Sequence, residues 1–216
     1  MTDRKTSSSV RMRLFWSSRS PFVRKVMVTA HETGVAHLID CKRVVVASAN
    51  LNAEVMAVNP LNKIPTLILE TGEAFLDSRV ICEYLDSLHD GARLFPANGE
   101  RRWRALRGQA LGDGLMENIL LRLIERSRPA ELRSEPHDKA YKAKIDRTLD
   151  YLEQNFDEFL GSEFSIAGIA VGCAIAHLNF RYRADPWQPA RPKLARWYDK
   201  FADRASVKAT EYEEVY

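Results

Sequence analysis

The sequence predicts a chain in two parts: an α/β unit with the element order βαβαββα over residues 12–90, and an all-helical domain over residues 101–216. Three observations indicate this division. Up to about residue 88, short apolar runs alternate with segments of helical spacing. A connection rich in Gly, Pro and Asn follows at residues 91–100. Beyond it the sequence has helical periodicity and no strand-like alternation.

The first strand and helix are predicted at the start of the α/β unit. MRLFW has the composition of a strand, and PFVRKVMVTAHETG repeats apolar side chains at Val23, Met27 and Ala30, close to helical spacing. Pro21 suits the first turn of a helix, because an N–H there would have no partner inside the helix. Gly34 supplies the end of the helix.

The rest of the unit follows from similar signals. HLIDCKRVVV reads as a second strand, and NLNAEVMAVN as a short helix that ends at Pro60. TLILE and EAFL are two strands joined by the turn TGE, and DSRVICEYLDSLH closes the unit as a helix. A helical crossover makes the first two strands parallel, and the hairpin adds antiparallel strands to the same sheet.

The second half carries four helical segments: RRWRALRGQALGDGLMENILLRLIERSR, DKAYKAKIDRTLDYLEQNFDEFL, SIAGIAVGCAIAHLNFRYR and KLARWYDKFADRA. The longest uncharged apolar run, from Phe164 to Ala176, is too short to cross a bilayer and predicts a fully buried helix. We therefore expect no membrane partner.

Composition narrows the class of ligand. Of the 216 residues, 45% are hydrophobic and 28% charged, and the net charge is only +3. The basic residues are scattered, whereas nucleic-acid binding usually needs a concentrated basic face. We therefore expect a small anionic ligand, bound in a local pocket, rather than a nucleic acid.

The first residues, MTDRKTSSSVR, carry charge but no apolar core, so they do not have the pattern of a secretory signal. We expect residues 1–11 to form a flexible tail, with Met12 as an alternative start of the chain.

Cys41, Cys82 and Cys173 lie far apart, without a CxxC pair. This spacing argues against a disulfide framework or a metal site, and a reducing cytoplasm is the simplest location. Their apolar neighbours predict three small buried side chains.

Two short motifs point to a ligand site. In SSRSPF, three serines (Ser17, Ser18 and Ser20) surround Arg19 ahead of a helix that needs one capping residue. In NPLNKIPTLIL, Pro65 stands directly before a strand, where a trans proline would interrupt pairing unless the strand lay at an edge. A cis bond before Pro65 would instead turn the backbone of the preceding residue outward, towards an extended ligand.

Four segments occur in the order found in a known family: SPFVRKV, NPLNKIPTL, LDSRVICEYLD and FSIAGIAVGCAIAHLNFR. Over residues 12–210 the chain resembles a cytosolic glutathione S-transferase. The resemblance implies a thioredoxin-like N-terminal domain followed by an all-helical domain, and a homodimer. It also implies glutathione as co-substrate, a small electrophile as second substrate, and no prosthetic group or metal.

The same resemblance implies the glutathione-binding residues. Lys63 would face the glycine carboxylate, and the backbone of Ile64, held by cis Pro65, would pair with the cysteinyl segment. Asp77 and Ser78 would bind the γ-glutamyl end, where a helix N-terminus offers N–H groups and partial positive charge. Simple N-capping by Asp77 is the alternative interpretation of DSRV.

The catalytic serine is open to three assignments. Ser20 directly precedes Pro-Phe, as the catalytic residue does in the tau and omega classes. SSRS also resembles the zeta-class motif, in which the first serines act, although Arg19 stands where that class has cysteine. We rank Ser20 first, Ser17 second and Ser18 third, with helix capping alone as the alternative for Ser20.

The expected function is a transferase that activates the glutathione thiolate for attack on an electrophile or a peroxide. A zeta-type glutathione-dependent isomerase is one alternative, and a non-catalytic protein-interaction module that resembles the transferases is another. The sequence does not identify the electrophile, because no motif marks the scattered apolar side chains that would contact it.

Two further residues, Gly168 and Asp113, lead to predictions about stability and helix packing. The family usually has Asp at the third helical position after the capping Ser165, but this chain has Gly168 there, which predicts a stability loss of about 1–2 kcal/mol. Asp113, an acid on an apolar stretch, is expected to take part in helix packing or a salt bridge.

Overall fold

A computed structural model describes residues 11–47, 50–161 and 163–213. Its sheet has the strand order β2-β1-β3-β4, with β1 parallel to β2 and antiparallel to β3, and β3 antiparallel to β4. The strands are β1 (Met12–Trp16), β2 (Ile39–Arg43), β3 (Thr66–Ile68) and β4 (Ala74–Phe75). This is the predicted arrangement, so the thioredoxin-like fold class of the first half is confirmed.

Helices flank the sheet and form the second half. The bounds are α1 (Pro21–Glu32), α2 (Ala53–Met56), α3 (Ser78–Ser87), α4 (Gly99–Ser127), α5 (Glu135–Gln154), α6 (Phe156–Phe159), α7 (Ile166–Arg181), α8 (Pro192–Ala202) and α9 (Ala205–Lys208). The all-helical second domain is confirmed, and its first helix begins inside the stretch that the sequence suggested as a linker. Of the predicted tail, residues 1–10 lie outside the described residues.

The apolar run of the second half forms the centre of the helical domain. Every residue from Ile166 to Leu178 is buried, as predicted for α7. This helix runs parallel to α4 at very short range: a Cβ added at Gly112 would lie 2.5 Å from the backbone carbon of Ala170. Glycine at this position is therefore what lets the two backbones meet. None of the helices in the described ranges is long and apolar enough to cross a membrane.

Burial was predicted for all three cysteines, and the structure confirms it for two of them. Cys82 and Cys173 are fully buried, and burial raises the pKa of their thiols to about 11 and about 12. Cys41 is exposed, so its predicted burial is wrong. It lies in β2, an edge strand of the sheet, so no strand covers its outer side, although its Sγ lies 3.8 Å from Met27 Sδ of α1.

The cap of α7 gives a first testable prediction. The side chain of Ser165 accepts a hydrogen bond from Ala167 N–H, so the predicted cap is present. A Cβ at Gly168, however, would lie 3.2 Å from the ring of Phe164, and the Arg204 guanidinium covers that ring at 3.8 Å. The gain in stability expected from an aspartate at this position is therefore smaller, because the Phe164 ring must move to make room for the Cβ.

We expect Gly168→Asp to be more stable than Gly168→Ala by about 1 kcal/mol, because only aspartate restores the reciprocal capping bond while both add the same Cβ. Urea denaturation of both variants beside the wild type measures this difference. Equal midpoints for the two variants would mean that no capping bond forms.

Candidate active site

Three segments predicted to bind glutathione meet at one edge of the sheet. Phe15 in β1 pairs with Thr66 in β3, so the loop after β1 adjoins the turn before β3. Leu67 pairs with Phe75 in β4, so the chain leaving β4 towards Asp77 reaches the same edge. The pairing of short strands thus brings together the serine loop, the proline turn and the start of α3.

Ser20 is the N-cap of α1, and its Oγ accepts a hydrogen bond from Val23 N–H at 3.3 Å. Its own N–H donates to the Ser17 carbonyl at 3.2 Å, which closes the loop into a tight turn. A serine hydroxyl has one donor and two acceptor positions. The cap uses one acceptor position and leaves the hydroxyl proton for a ligand, so capping and catalysis are compatible at Ser20.

The other two serines have different surroundings. Ser17 Oγ accepts from Arg19 N–H at 3.4 Å, an interaction at the long limit of a hydrogen bond. Ser18 donates its hydroxyl proton to the Glu213 carbonyl at 3.0 Å. Because a serine has one proton to donate, this bond makes Ser18 the poorest of the three candidates for stabilising a thiolate.

The Ile64–Pro65 peptide bond is cis, as predicted. The ladder between β1 and β3 begins at Thr66, so Ile64 lies beyond the end of the paired strand. The turn is fixed by Asn59, a fully buried side chain whose Nδ2 donates to the Lys63 carbonyl at 3.0 Å and to Thr66 Oγ1 at 2.8 Å. Our sequence reasoning missed Asn59, although the dipeptide Asn-Pro is a turn signal that could have indicated it.

At the start of α3, Asp77 is the N-cap and accepts from Arg79 N–H at 2.8 Å. Its side chain is exposed, as is that of Lys63, whereas Ser78 is buried. Asp77 is therefore both a capping residue, as the alternative interpretation held, and a carboxylate that an incoming ligand can reach. The helix N-terminus beside it favours negatively charged groups.

A buried ion cluster lies directly behind this helix start. Lys25 Nζ contacts Asp113 Oδ1 at 2.7 Å, and Arg79 Nε contacts Asp113 Oδ2 at 2.8 Å. The side chains of Lys25 and Asp113 are 0% and 1% exposed, and the bond to Asp113 raises the pKa of Arg79 above its usual value. The cluster joins α1, α3 and α4, so it fixes the candidate site on the helical domain.

The predicted salt-bridge role of Asp113 is thus confirmed, but its principal partner was not foreseen. Lys25 stands in a helix that also carries Arg24, and by sequence it reads as a solvated charge. The two residues are 88 positions apart, so only the folded chain shows that they pair.

Comparison with known proteins identifies the family. A family model described as "Glutathione S-transferase, N-terminal domain" matches residues 19–88, and one described as "Glutathione S-transferase, C-terminal domain" matches residues 124–200. The chain is also 34% identical over 202 residues to YibF, an uncharacterised GST-like protein of Escherichia coli K12. That alignment covers 93% of this chain and 98% of YibF. The chain belongs to the glutathione S-transferase family.

Solved structures extend this family assignment. A glutathione transferase family member from Pseudomonas fluorescens Pf-5, solved with bound glutathione, superposes with a TM-score of 0.91 at 39% identity. The match covers 94% of this transferase-family chain and 99% of the other chain. A glutathione S-transferase from Methylobacillus flagellatus KT, solved with glutathione bound, gives a TM-score of 0.84 at 36% identity, over 94% and 100% of the two chains. Among curated relatives, the glutathione S-transferase GstB of Escherichia coli K12 is 26% identical over 206 residues.

Proposed function

We propose that this family member is a glutathione transferase in which Ser20 stabilises the thiolate of bound glutathione for attack on a small electrophile or a peroxide. The observation that carries the proposal is the meeting of the serine loop, the cis-proline turn and the start of α3 at one sheet edge. Ser20 keeps its hydroxyl proton to donate at that edge. The two similar structures that contain glutathione support the choice of ligand.

Binding of the glutathione tripeptide is assigned to residues outside the serine loop. Lys63 is exposed and carries a positive charge suited to the glycine carboxylate. The backbone of Ile64, beyond the paired part of β3, would bond the cysteinyl segment in the manner of an added strand. Asp77 would accept from the γ-glutamyl ammonium, while Ser78 and the first N–H groups of α3 would receive its carboxylate.

The proposed reaction requires the thiol of bound glutathione to lose its proton. A free cysteine thiol has a pKa near ~8.5 and is mostly protonated at neutral pH. A hydroxyl donor and the N-terminus of α1 both favour the charged form, so they lower this pKa and raise the thiolate fraction. The thiolate sulfur then forms a bond to the electrophilic atom, and the leaving group departs with the electrons of the bond that breaks.

The alternatives have less support. A zeta-type isomerase would use Ser17 and Ser18, but Ser18 gives its proton to the Glu213 carbonyl. A pure interaction module has no need of an exposed lysine and carboxylate beside a cis-proline turn.

Retention on immobilised glutathione tests binding, and a turnover screen with aromatic halides, peroxides and maleyl compounds tests the chemistry. A protein that is neither retained nor active with any of them would refute the proposal.

We also propose that the protein is a homodimer. Val80 on α3 and Trp103 on α4 are 46% and 65% exposed, large fractions for apolar side chains. Arg102, beside Trp103, contacts Glu83 of α3 at 2.7 Å, so the two exposed side chains lie on adjoining helices. Large apolar side chains exposed on adjoining helices would suit burial in a protein interface.

Light scattering at micromolar concentration should give about twice the chain mass of 24.6 kDa. A Trp103→Glu variant should lower this mass, since it places a charge in the proposed interface. A wild-type mass equal to that of one chain would contradict the dimer.

A further inference from the structure

The segment after α9, residues 210–213, reaches back across the molecule to the serine loop, and we call it the C-terminal strap. We propose that Tyr212 in this strap is a positioning residue that holds the serine loop in its catalytic place. The inference rests on the proposed function, because it assigns a role relative to the glutathione thiolate. Tyr212 acts through the loop and need not touch the substrate.

The strap is attached at both of its ends. At its start, Thr210 Oγ1 donates to the Ser206 carbonyl at 2.9 Å, which continues from α9. At its other described end, the Glu213 carbonyl accepts the hydroxyl proton of Ser18 at 3.0 Å. These last two residues are 195 positions apart. The strap therefore connects the end of the helical domain with the loop of the α/β unit.

The ring of Tyr212 fixes the strap between the two domains. It stacks on Phe180 of α7 with a centroid distance of 4.8 Å and an interplanar angle of 11°. The Arg24 guanidinium of α1 lies 4.5 Å from the ring centroid, and the Tyr212 hydroxyl donates to the Cys173 carbonyl at 3.4 Å. Contacts to α1 on one side and α7 on the other leave the ring little freedom.

The Tyr212 ring also packs against a buried histidine. His177 is fully buried 5.4 Å from the Tyr212 ring, and neither of its ring nitrogens has a hydrogen-bond partner among the described residues. Burial lowers the pKa of His177 to about 3, so the ring is neutral and acts as part of an apolar wall. Removing Tyr212 would open this wall and release the end of the strap.

The consequence for catalysis follows from the path of the chain. The loop is held by Ser20 at the start of α1 and by Ser18 at the strap. A group that stabilises a thiolate must stay within hydrogen-bond reach, and a displacement of about 1 Å can cost ~100-fold in rate. Lys63 and Asp77, which are assigned to glutathione binding, lie on segments other than the serine loop. Loss of the strap should therefore reduce turnover and leave affinity nearly unchanged.

The test compares Tyr212→Ala with Tyr212→Phe, which keeps the stacked ring. Tyr182→Ala serves as a matched control, because Tyr182 is a buried tyrosine at the end of α7 whose ring lies over Arg122 at 4.7 Å rather than over Arg24. We expect Tyr212→Ala to lower kcat by ~10–100-fold with less than about a threefold change in KM for glutathione. It should also raise the pKa of the bound thiol, whereas Tyr212→Phe and Tyr182→Ala should stay within about threefold of the wild-type kcat.

The proposal would be overturned if Tyr212→Ala had the same kcat and the same pKa of the bound thiol as the wild type. Equal losses of kcat in Tyr212→Ala and Tyr182→Ala would also overturn it, because they would indicate a general structural role. A wild type that is neither retained on immobilised glutathione nor active with any screened compound would refute the proposed function instead. The strap is then tested by hydrogen exchange alone: faster exchange of backbone N–H groups in residues 17–20 of Tyr212→Ala supports it, and unchanged exchange contradicts it.

Discussion

Replacing Lys25 by methionine is expected to lower the free energy of unfolding by about 3 kcal/mol. Breaking a buried ion pair by removing one partner typically costs ~3–5 kcal/mol, because the other charge stays buried without compensation. The lower end of that range applies because Asp113 keeps its second contact, to Arg79. Urea denaturation followed by circular dichroism measures the change.

The exposed pair of Lys42 and Glu54 provides the matched control. Both side chains are more than 40% exposed, so Lys42→Met should cost no more than about 1 kcal/mol. In the double variant Lys25→Met/Asp113→Leu no uncompensated carboxylate remains in the core, and we expect part of the lost stability to return. If Lys25→Met were no more destabilising than Lys42→Met, the cluster would have no special role in joining the domains.

The second large effect is expected for Ser20→Ala, which should lower turnover with glutathione by ~10–100-fold and leave its affinity within about threefold. One hydrogen bond to a charged group contributes about 1.5–3 kcal/mol, which corresponds to roughly one to two pKa units of the thiol. The affinity is assigned to Lys63, the Ile64 backbone, Asp77 and Ser78, and none of these changes. Steady-state kinetics with an active electrophile measures both quantities.

Because Ser20 also caps α1, its loss affects stability. Alanine at an N-cap costs about 1 kcal/mol, whereas glycine costs only a few tenths. Ser20→Gly should therefore lose as much turnover as Ser20→Ala while remaining closer to wild-type stability. If Ser17→Ala lost the activity and both Ser20 variants kept it, the zeta-like assignment would be right instead.

The features that were predictable from the sequence are those with local causes. Pro21 and Gly34 bound α1 because their backbone preferences favour those positions, and Gly34 indeed has φ of 74°. The apolar run of α7 predicted its own burial, since no charged residue interrupts it. The cis bond before Pro65 was implied by the resemblance of NPLNKIPTL to the transferase family, because a proline before a strand is by itself also compatible with a trans bond at a sheet edge.

The features that were missed depend on pairs of residues that are distant in the sequence. Lys25 could be recognised as buried only once Asp113 was known to lie opposite. The contact between Ser18 and Glu213 joins the two ends of the chain and has no sequence signal. Cys41 was predicted to be buried from its apolar neighbours, but the position of β2 at the edge of the sheet exposes it.

The central claim is that this chain binds glutathione and lowers the pKa of its thiol through Ser20. An ultraviolet absorbance titration of the thiolate in the wild-type complex, repeated with Ser20→Ala, tests it most directly. We predict that the bound thiol titrates at least one unit below the ~8.5 of a free cysteine, and that Ser20→Ala returns it most of the way. A bound thiol that titrates like free glutathione in the wild type, or identically in both proteins, would contradict this account.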